Sequence, residues 1–410
     1  MYIDLYKKVF NPNKSMKGKI AMYSLKLFNN TLVKFDMENK PTLKIFNINV
    51  VSNDKKLFPE AIQNEVNSNT LKEFLQQRVV PKNRTFVKNI LETQGLDFRD
   101  IKGIIDISKG LALTDCYWIT KDDNLKFEDY NLYDNNFSEE LSLVAFTGYT
   151  SKIKGIATSP EFTTNGALPK AWRRINNNVY LFKGSTAYLK ASNGGNEPYS
   201  EFYICQLEKV MNIKHVEYNL EKWKGMLAST CPLFTSKNYS YVPIYQASNS
   251  NDIDDTYKWC AKNNYKEEFA DMIMLDALTY NWDRHLGNFG VLKDNTTGEY
   301  VSFAPLFDNG AGLLSSVLPE VLESKKDFEY YYQNDKELQK SNYGVDYREL
   351  VKLYCGKNQI AKLRKIVDFK FKKHPKYNLS DERLEYLNSM INNRVVELIN
   401  IIEAKLKENK

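Results

Sequence analysis

The sequence predicts an α+β chain in three parts: an N-terminal α+β region over 1–145, a mixed strand-and-helix lobe over 146–248 and a mainly helical lobe over 249–410. Three observations predict it. Short apolar runs separated by turn residues dominate the start, one helix stands between strand-like runs in the middle, and apolar residues at helical spacing fill the end.

The elements follow in order. "IAMYSLKLF", a turn at Asn29-Asn30, "TLVKF" and "TLKIFNINVV" read as strands over 20–50. "TLKEFLQQ" is a helix opening at Thr70, with Glu73 at capping-box spacing. "RTFVKNILETQGL" gathers Phe86, Val87, Ile90 and Leu91 on one helical face and stops at Gly95. This first region carries no catalytic constellation and is a candidate for regulation or partner binding. The turn-rich loop "SPEFTTNGALPKAW" and the strand "NVYLFKGS", with Lys183 near its end, open the second part. "NEPYSEFYICQLEKVMNI" is a helix with Pro198 in its first turn, followed by the strands "LASTCPLFTS" and "YSYVPIYQ". Beyond about 262 the chain turns helical. "YKEEFADMIMLDALTY" puts Phe269, Met272, Ile273, Ala277 and Tyr280 on one stripe. The last helix starts at Ser380 and repeats Leu384, Leu387, Ile391, Val395, Leu398, Ile402 and Leu406.

Composition narrows the function classes. With 42% hydrophobic and 26% charged residues, the chain is globular rather than disordered. A net charge of +6, spread along the chain, mildly favours acidic or phosphate-bearing partners. Five scattered cysteines without a C-x-x-C pair point to reduced, buried thiols and a cytoplasmic protein. Three histidines argue against a histidine-rich metal centre. No apolar run reaches the roughly 20 residues of a membrane span, and the first residues lack a signal-peptide core.

The chemistry concentrates in "NWDRHLGNFGVLKD", residues 281–294. "NFGVL", the turn "KDNTTGE" and the returning strand "YVSFAPLF" form a hairpin that brings Asn288 close to Asp308. Asp283 lies five residues before Asn288 on the same loop, so the three should converge. Phosphoryl transfer from ATP asks for such a set. One carboxylate orients the attacking hydroxyl, while a carboxylate and an amide oxygen hold Mg²⁺. It also needs a strand lysine for the phosphates, held by a glutamate from a neighbouring helix. Lys183 supplies the first, and Glu201, with Glu197 in reserve, the second.

These residues carry a resemblance. "NWDRHLGNFGVL…PLFDNG", preceded by "YLFKG" and "TTNGALPKAW", resembles the HipA-like serine/threonine kinases, a bacterial family that includes toxins of toxin–antitoxin systems. The D-R-H-x-x-N pattern is also similar to that of phosphoinositide kinases. The resemblance covers roughly 150–400 and is strongest at 283–310. It implies a two-lobed protein-kinase-like fold, with Asp283 as catalytic base, Asn288 and Asp308 as metal ligands, and Lys183 on the phosphates. With Lys183, the nucleotide-binding candidates are Glu201, Gly166, Lys170 and His285, the last expected chiefly to brace the loop. Arg284 is expected either to pair with a carboxylate or a phosphorylated residue, or to lie at the surface. Ser159, Thr163 and Thr164 are ordinary turn residues or, as the resemblance implies, autophosphorylation sites, the former being the favoured reading. The D-F-G of protein kinases is Asp308-Asn309-Gly310 here, and the first 145 residues do not match the family's short N-terminal subdomain.

The implied activity is transfer of the γ-phosphoryl of Mg·ATP to a protein serine or threonine. A small helix-turn-helix antitoxin is the implied partner, and neither membrane nor direct nucleic-acid binding is expected. Two rivals stay open: a small-molecule or lipid kinase, and a non-catalytic ATP-binding pseudokinase-like partner.

Overall fold

The computed structural model describes residues 22–39, 42–150, 152–153, 158–189, 193–323 and 338–408. The expected strands at the start form one antiparallel sheet. β1 (Tyr23–Leu27) pairs with β2 (Asn30–Asn39), β2 with β3 (Leu43–Val50), and β4 (Tyr117–Thr120) closes the other side of β1. Helices α1 (Glu60–Gln63), α2 (Ser68–Gln77), α3 (Val87–Glu92), α4 (Ile101–Ser108) and α5 (Glu139–Thr147) accompany it. One core joins Leu25, Phe35, Leu71, Ile90, Trp118 and Leu141.

Two helix starts differ from expectation. α2 begins at Ser68, because Asn67 caps it and the Thr70 hydroxyl accepts from the Asn67 N–H in return. Asn is a stronger cap than Thr, so the box shifts by one turn. α3 is shorter than its apolar face, because Phe86 lies in the left-handed region at φ 61° and cannot extend the helix. The expected break at 145 falls inside α5. Leu141, Val144 and Ala145 belong to the first core, whereas Phe146 packs with Phe182 and Trp223 of the next sheet.

The second sheet orders β5 (Lys170–Ile175), β6 (Asn178–Lys183), β8 (Met226–Pro232) and β7 (Asn219–Trp223), all antiparallel. Between β6 and β7 runs α6 (Glu197–Met211), with Pro198 in its first turn and Asn212 ending it at φ 57°. The third sheet, β11 (Tyr300–Phe303), β10 (Gly290–Asp294) and β9 (Tyr239–Pro243), contains the expected hairpin. Its pairing with β9 requires Gly290, since a Cβ there would stand 2.0 Å from the Val242 carbonyl oxygen.

The helical lobe starts earlier than expected. After α7 (Ile244–Ala247) comes α8 (Ile253–Lys262), capped by Asp252. α9 (Lys266–Thr279) is not a striped surface helix: Phe269 to Thr279 are all buried, so it runs through the core with neighbours on every side. α10 (Pro319–Glu323), α11 (Tyr347–Tyr354), α12 (Lys357–Leu363) and the long α13 (Asp381–Glu408) complete the lobe. The α13 stripe expected from Leu384 to Ile402 is buried, and Leu406 is half-buried. Among the described residues, no helix is long and apolar enough to cross a membrane.

The N-terminal unit grips both later parts. Arg84 and Glu161 form a fully buried ion pair, and Arg84 also donates to the carbonyls of Thr164 and Lys170. The Thr85 N–H and hydroxyl both donate to the Ala167 carbonyl, at 2.8 and 2.7 Å. At the other end, the buried Lys293 on β10 donates to Glu60 at 2.7 Å and to the Phe58 carbonyl at 2.9 Å.

Candidate active site

Three elements converge on Lys183. It ends β6, where antiparallel pairing sets it opposite Lys170 on one side and Ser229 on the other. Its ammonium donates to Glu201 Oε1 at 2.6 Å and also to Asp308. Glu201, fully buried on α6, accepts from the Ser229 hydroxyl with its other oxygen. Glu197 is not the lysine's partner; it accepts from Ser185 and Thr186 and closes the turn before α6.

Charge balance fixes the ionisation of the set. Burial works against each charged form, but the carboxylates of Asp308 and Glu201 outweigh it and raise the Lys183 pKa. Burial likewise opposes the Asp308 carboxylate, yet the ammonium groups of Lys183 and Lys170 hold it well below the usual range. Asp308 sits at φ 60°, a left-handed conformation that costs an aspartate energy and is held by its surroundings. Its N–H donates to the Tyr218 hydroxyl at 3.1 Å.

The loop 281–288 is built around Arg284, which is buried rather than at the surface. Its guanidinium pairs with Asp276 of α9 and donates to the carbonyls of Asn288 and Phe307 and to the Asn309 side chain. One side chain thus binds the segment carrying Asp283 and Asn288 to the segment carrying Asp308. Asn288 donates through Nδ2 to the Asp283 carbonyl at 3.1 Å, which leaves Oδ1 as its acceptor. Asp283 is half-exposed. Burial, then the negative charge of Asp308, raise its pKa, while Lys183 acts on it in the opposite direction. Asp283 therefore shares one electrostatic environment with Asp308 and Lys183.

The remaining candidates divide. Lys170 is buried beside Lys183, and burial followed by that neighbouring charge pushes its pKa down to about 7. Its ammonium donates to the Asn165 carbonyl at 2.9 Å, beneath Gly166, where an added Cβ would lie 2.1 Å from Nζ. Gly166, at φ 94°, lets the loop close over the lysine. His285 is exposed and accepts from the Gly287 N–H at 3.0 Å, a brace within the loop; among the described contacts it has none with Lys183, Glu201 or Asp308. Ser159 and Thr163 are buried, and Thr163 and Thr164 donate to backbone carbonyls, so phosphorylation there would first require the loop to leave its seat.

Asp276, Asn309 and Glu208 were not foreseen as members of this network. An aspartate inside the apolar run "MIMLDALTY" was the available signal: a buried carboxylate needs a partner, and Arg284 is that partner. Nothing in the sequence marked Glu208, whose Oε1 accepts from Asn309 at 3.1 Å.

Comparison with known proteins fits this geometry. No family model matches the chain. The serine/threonine-protein kinase CtkA of Helicobacter pylori is 28% identical over 156 residues, 34% of this chain and 48% of that protein. The chain thus spans about half the length of the curated relative it matches. The crystal structure of the H. pylori kinase CtkA aligns with 60% of this chain and 93% of its own, at 22% identity and a TM-score of 0.48. HipA of Shewanella oneidensis, solved with HipB and operator DNA, aligns over 93% of this chain and 99% of its own at a TM-score of 0.56 and 12% identity. The fold is HipA-like. At 93% coverage the HipA-like fold includes most of the N-terminal region, so the expected mismatch with the family there is one of sequence rather than architecture.

Proposed function

We propose that this HipA-like chain is an ATP-dependent serine/threonine protein kinase, transferring the γ-phosphoryl of Mg·ATP to a protein hydroxyl. The observation that carries the reading is the buried Lys183 bound to both Glu201 and Asp308, with Arg284 tying the loop of Asp283 and Asn288 to the segment of Asp308. The similarity to CtkA, named a serine/threonine-protein kinase, supports it over the stretch they share.

The donors suit magnesium. Asp308 and Asn288 offer hard carboxylate and amide oxygens, and neither ligand is a cysteine or histidine. When bound, the ion supplies charge neutralisation for the transferring phosphoryl group. The chain's own residues do the rest. Lys183, oriented by Glu201, holds phosphate oxygens that enter between it and Asp308. Asp283 accepts the proton of the attacking hydroxyl, and partial burial makes it a stronger base than an exposed aspartate. Arg284 keeps the two loops in register, so catalysis rests on positioning and fixed charge.

The fold likeness extends the proposal to a partner. The matched HipA was solved with HipB, and a small helix-turn-helix antitoxin is the corresponding partner for this chain.

The test incubates the purified chain with labelled ATP and a protein acceptor. Asp283→Ala should lower phosphate transfer by about 10²–10⁴-fold, the usual worth of a positioned acid–base group, and Asp308→Ala should abolish it by removing a metal ligand. Asp283→Ala should still bind ATP. Wild-type transfer by either variant overturns the assignment.

A further inference from the structure

A second cluster lies one turn beyond Glu201 on α6. Cys205 and Glu208 are three residues apart and share a helix face. The chain leaving α6 returns to that face through His215, which forms a bridge to Leu306, two residues before Asp308. One donor atom from each of Cys205, Glu208 and His215 lies within 4.8 Å of the others.

Two atoms of the cluster lack a hydrogen bond. Glu208 is fully buried, and its Oε2 has no hydrogen bond, although Oε1 accepts from Asn309. His215 Nε2 is also buried without a hydrogen bond. The reason lies in the other ring nitrogen: Nδ1 is 2.7 Å from the Ile213 carbonyl oxygen. A carbonyl can only accept, so Nδ1 carries the hydrogen, and Nε2 is the nitrogen the ring leaves for a metal. A backbone-oriented imidazole of this kind is how metal-binding histidines are usually held. An unsatisfied buried polar atom costs about 1–3 kcal/mol, and a cation held in common by Glu208 and His215 relieves both.

We propose that Cys205, Glu208 and His215 form a zinc site, with Glu217 at the rim as fourth ligand. Glu217 suits that place: its carboxylate is 3.7 Å from His215 Nε2, accepts from the Cys205 thiol at 3.6 Å and is largely exposed, which gives a route of entry. The donor set selects the metal. A thiolate, an imidazole and carboxylates suit zinc, whereas Mg²⁺ prefers oxygen throughout. Zinc bonds of about 2.0–2.3 Å imply ligand separations of roughly 3.3–3.8 Å. Side-chain rotation of about an ångström therefore closes the present arrangement. Burial raises the Glu208 carboxyl well above its usual range and the Cys205 thiol to about 12, so each releases a proton to solvent as the metal binds.

The site would clamp the second half of α6 to the segment that pairs with Leu306. Glu208 keeps Oε1 for Asn309, so the metal would steady the residue next to Asp308 without touching the nucleotide. This differs from the magnesium expected at Asn288 and Asp308 in ligands, position and metal.

Cobalt titration of the full-length chain tests it, read by the thiolate-to-cobalt charge-transfer band and by zinc competition. One equivalent should bind, displaced by zinc, with the charge-transfer band lost in Cys205→Ser and affinity reduced about 10²-fold or more in His215→Gln. A folded chain that binds no cobalt, or binds it without a thiolate band, overturns the proposal. So does full binding by both variants. If either variant fails to fold, the spectrum of the unaltered chain still decides. The readout is independent of phosphate transfer, so failure of the kinase reading leaves it intact, and its own failure leaves that reading intact.

Discussion

Arg284→Met separates the structural worth of the buried guanidinium from its role in aligning the site. Arg284 and Asp276 are 1% and 2% exposed, and among the described ion pairs they are bound at 3.0 Å. Breaking such a pair by removing one partner costs about 3–5 kcal/mol, because the other charge stays buried. That is a large share of the roughly 5–15 kcal/mol that holds a domain folded. The loss is tempered at Asp276, whose pKa burial already raises against the pull of Arg284, so the orphaned carboxyl can take up a proton. Asp276→Leu combined with Arg284→Met removes both charges and should restore part of that stability. It cannot restore the carbonyls of Asn288 and Phe307, which lose their donor and cost about 1–3 kcal/mol each if they remain buried. Urea unfolding of the four proteins should therefore give a coupling of at least about 2 kcal/mol between positions 276 and 284. Phosphate transfer should stay depressed in the double variant, since nothing then ties 283–288 to 307–309. Additive stabilities, or a double variant as active as the parent, would refute the reasoning.

Three further outcomes are expected. Arg84→Met leaves Glu161 buried and unpaired, lowers stability by about 3–5 kcal/mol and frees the 164–170 loop; steady-state kinetics should show the Michaelis constant for ATP rising more than the turnover number falls. Nucleotide binding should take up a proton above pH 7, since phosphate charge raises the Lys170 pKa from about 7; calorimetry in buffers of different ionisation enthalpy should measure nearly one proton near pH 8, little near pH 6 and none above pH 7 in Lys170→Met. The same depressed pKa means the unfolded chain binds more protons between about 7 and 10.5, so the Lys170 contribution to stability should rise with pH across that window, which denaturation at several pH values checks.

Much of this was legible beforehand, for local reasons. The hairpin joining Asn288 to Asp308 is encoded by short strands about a polar turn, and it formed with β10 and β11 as expected. Lys183 and Glu201 were readable because a strand end followed by a helix brings such residues together. What escaped was set by distance along the chain. Lys293 meets Glu60 across 233 residues, and Arg84 meets Glu161 across 77; no local pattern signals either pair. The all-round burial of α9 also escaped, because the periodicity marks only one stripe and the packing of α8, α11 and α13 is what surrounds the helix. Gly166 was read as a phosphate-loop glycine, whereas its present use is to seat Lys170.

The double grip of the N-terminal unit has a mechanical consequence. A unit that holds the 164–170 loop at one end and β10 at the other ties the second sheet to the third. Moving the second sheet away from the third would strain the Arg84, Thr85 and Lys293 contacts together, whereas lifting the short loop breaks only the first two sets. Lifting that loop is therefore the cheaper way to uncover Lys170 and the end of β6.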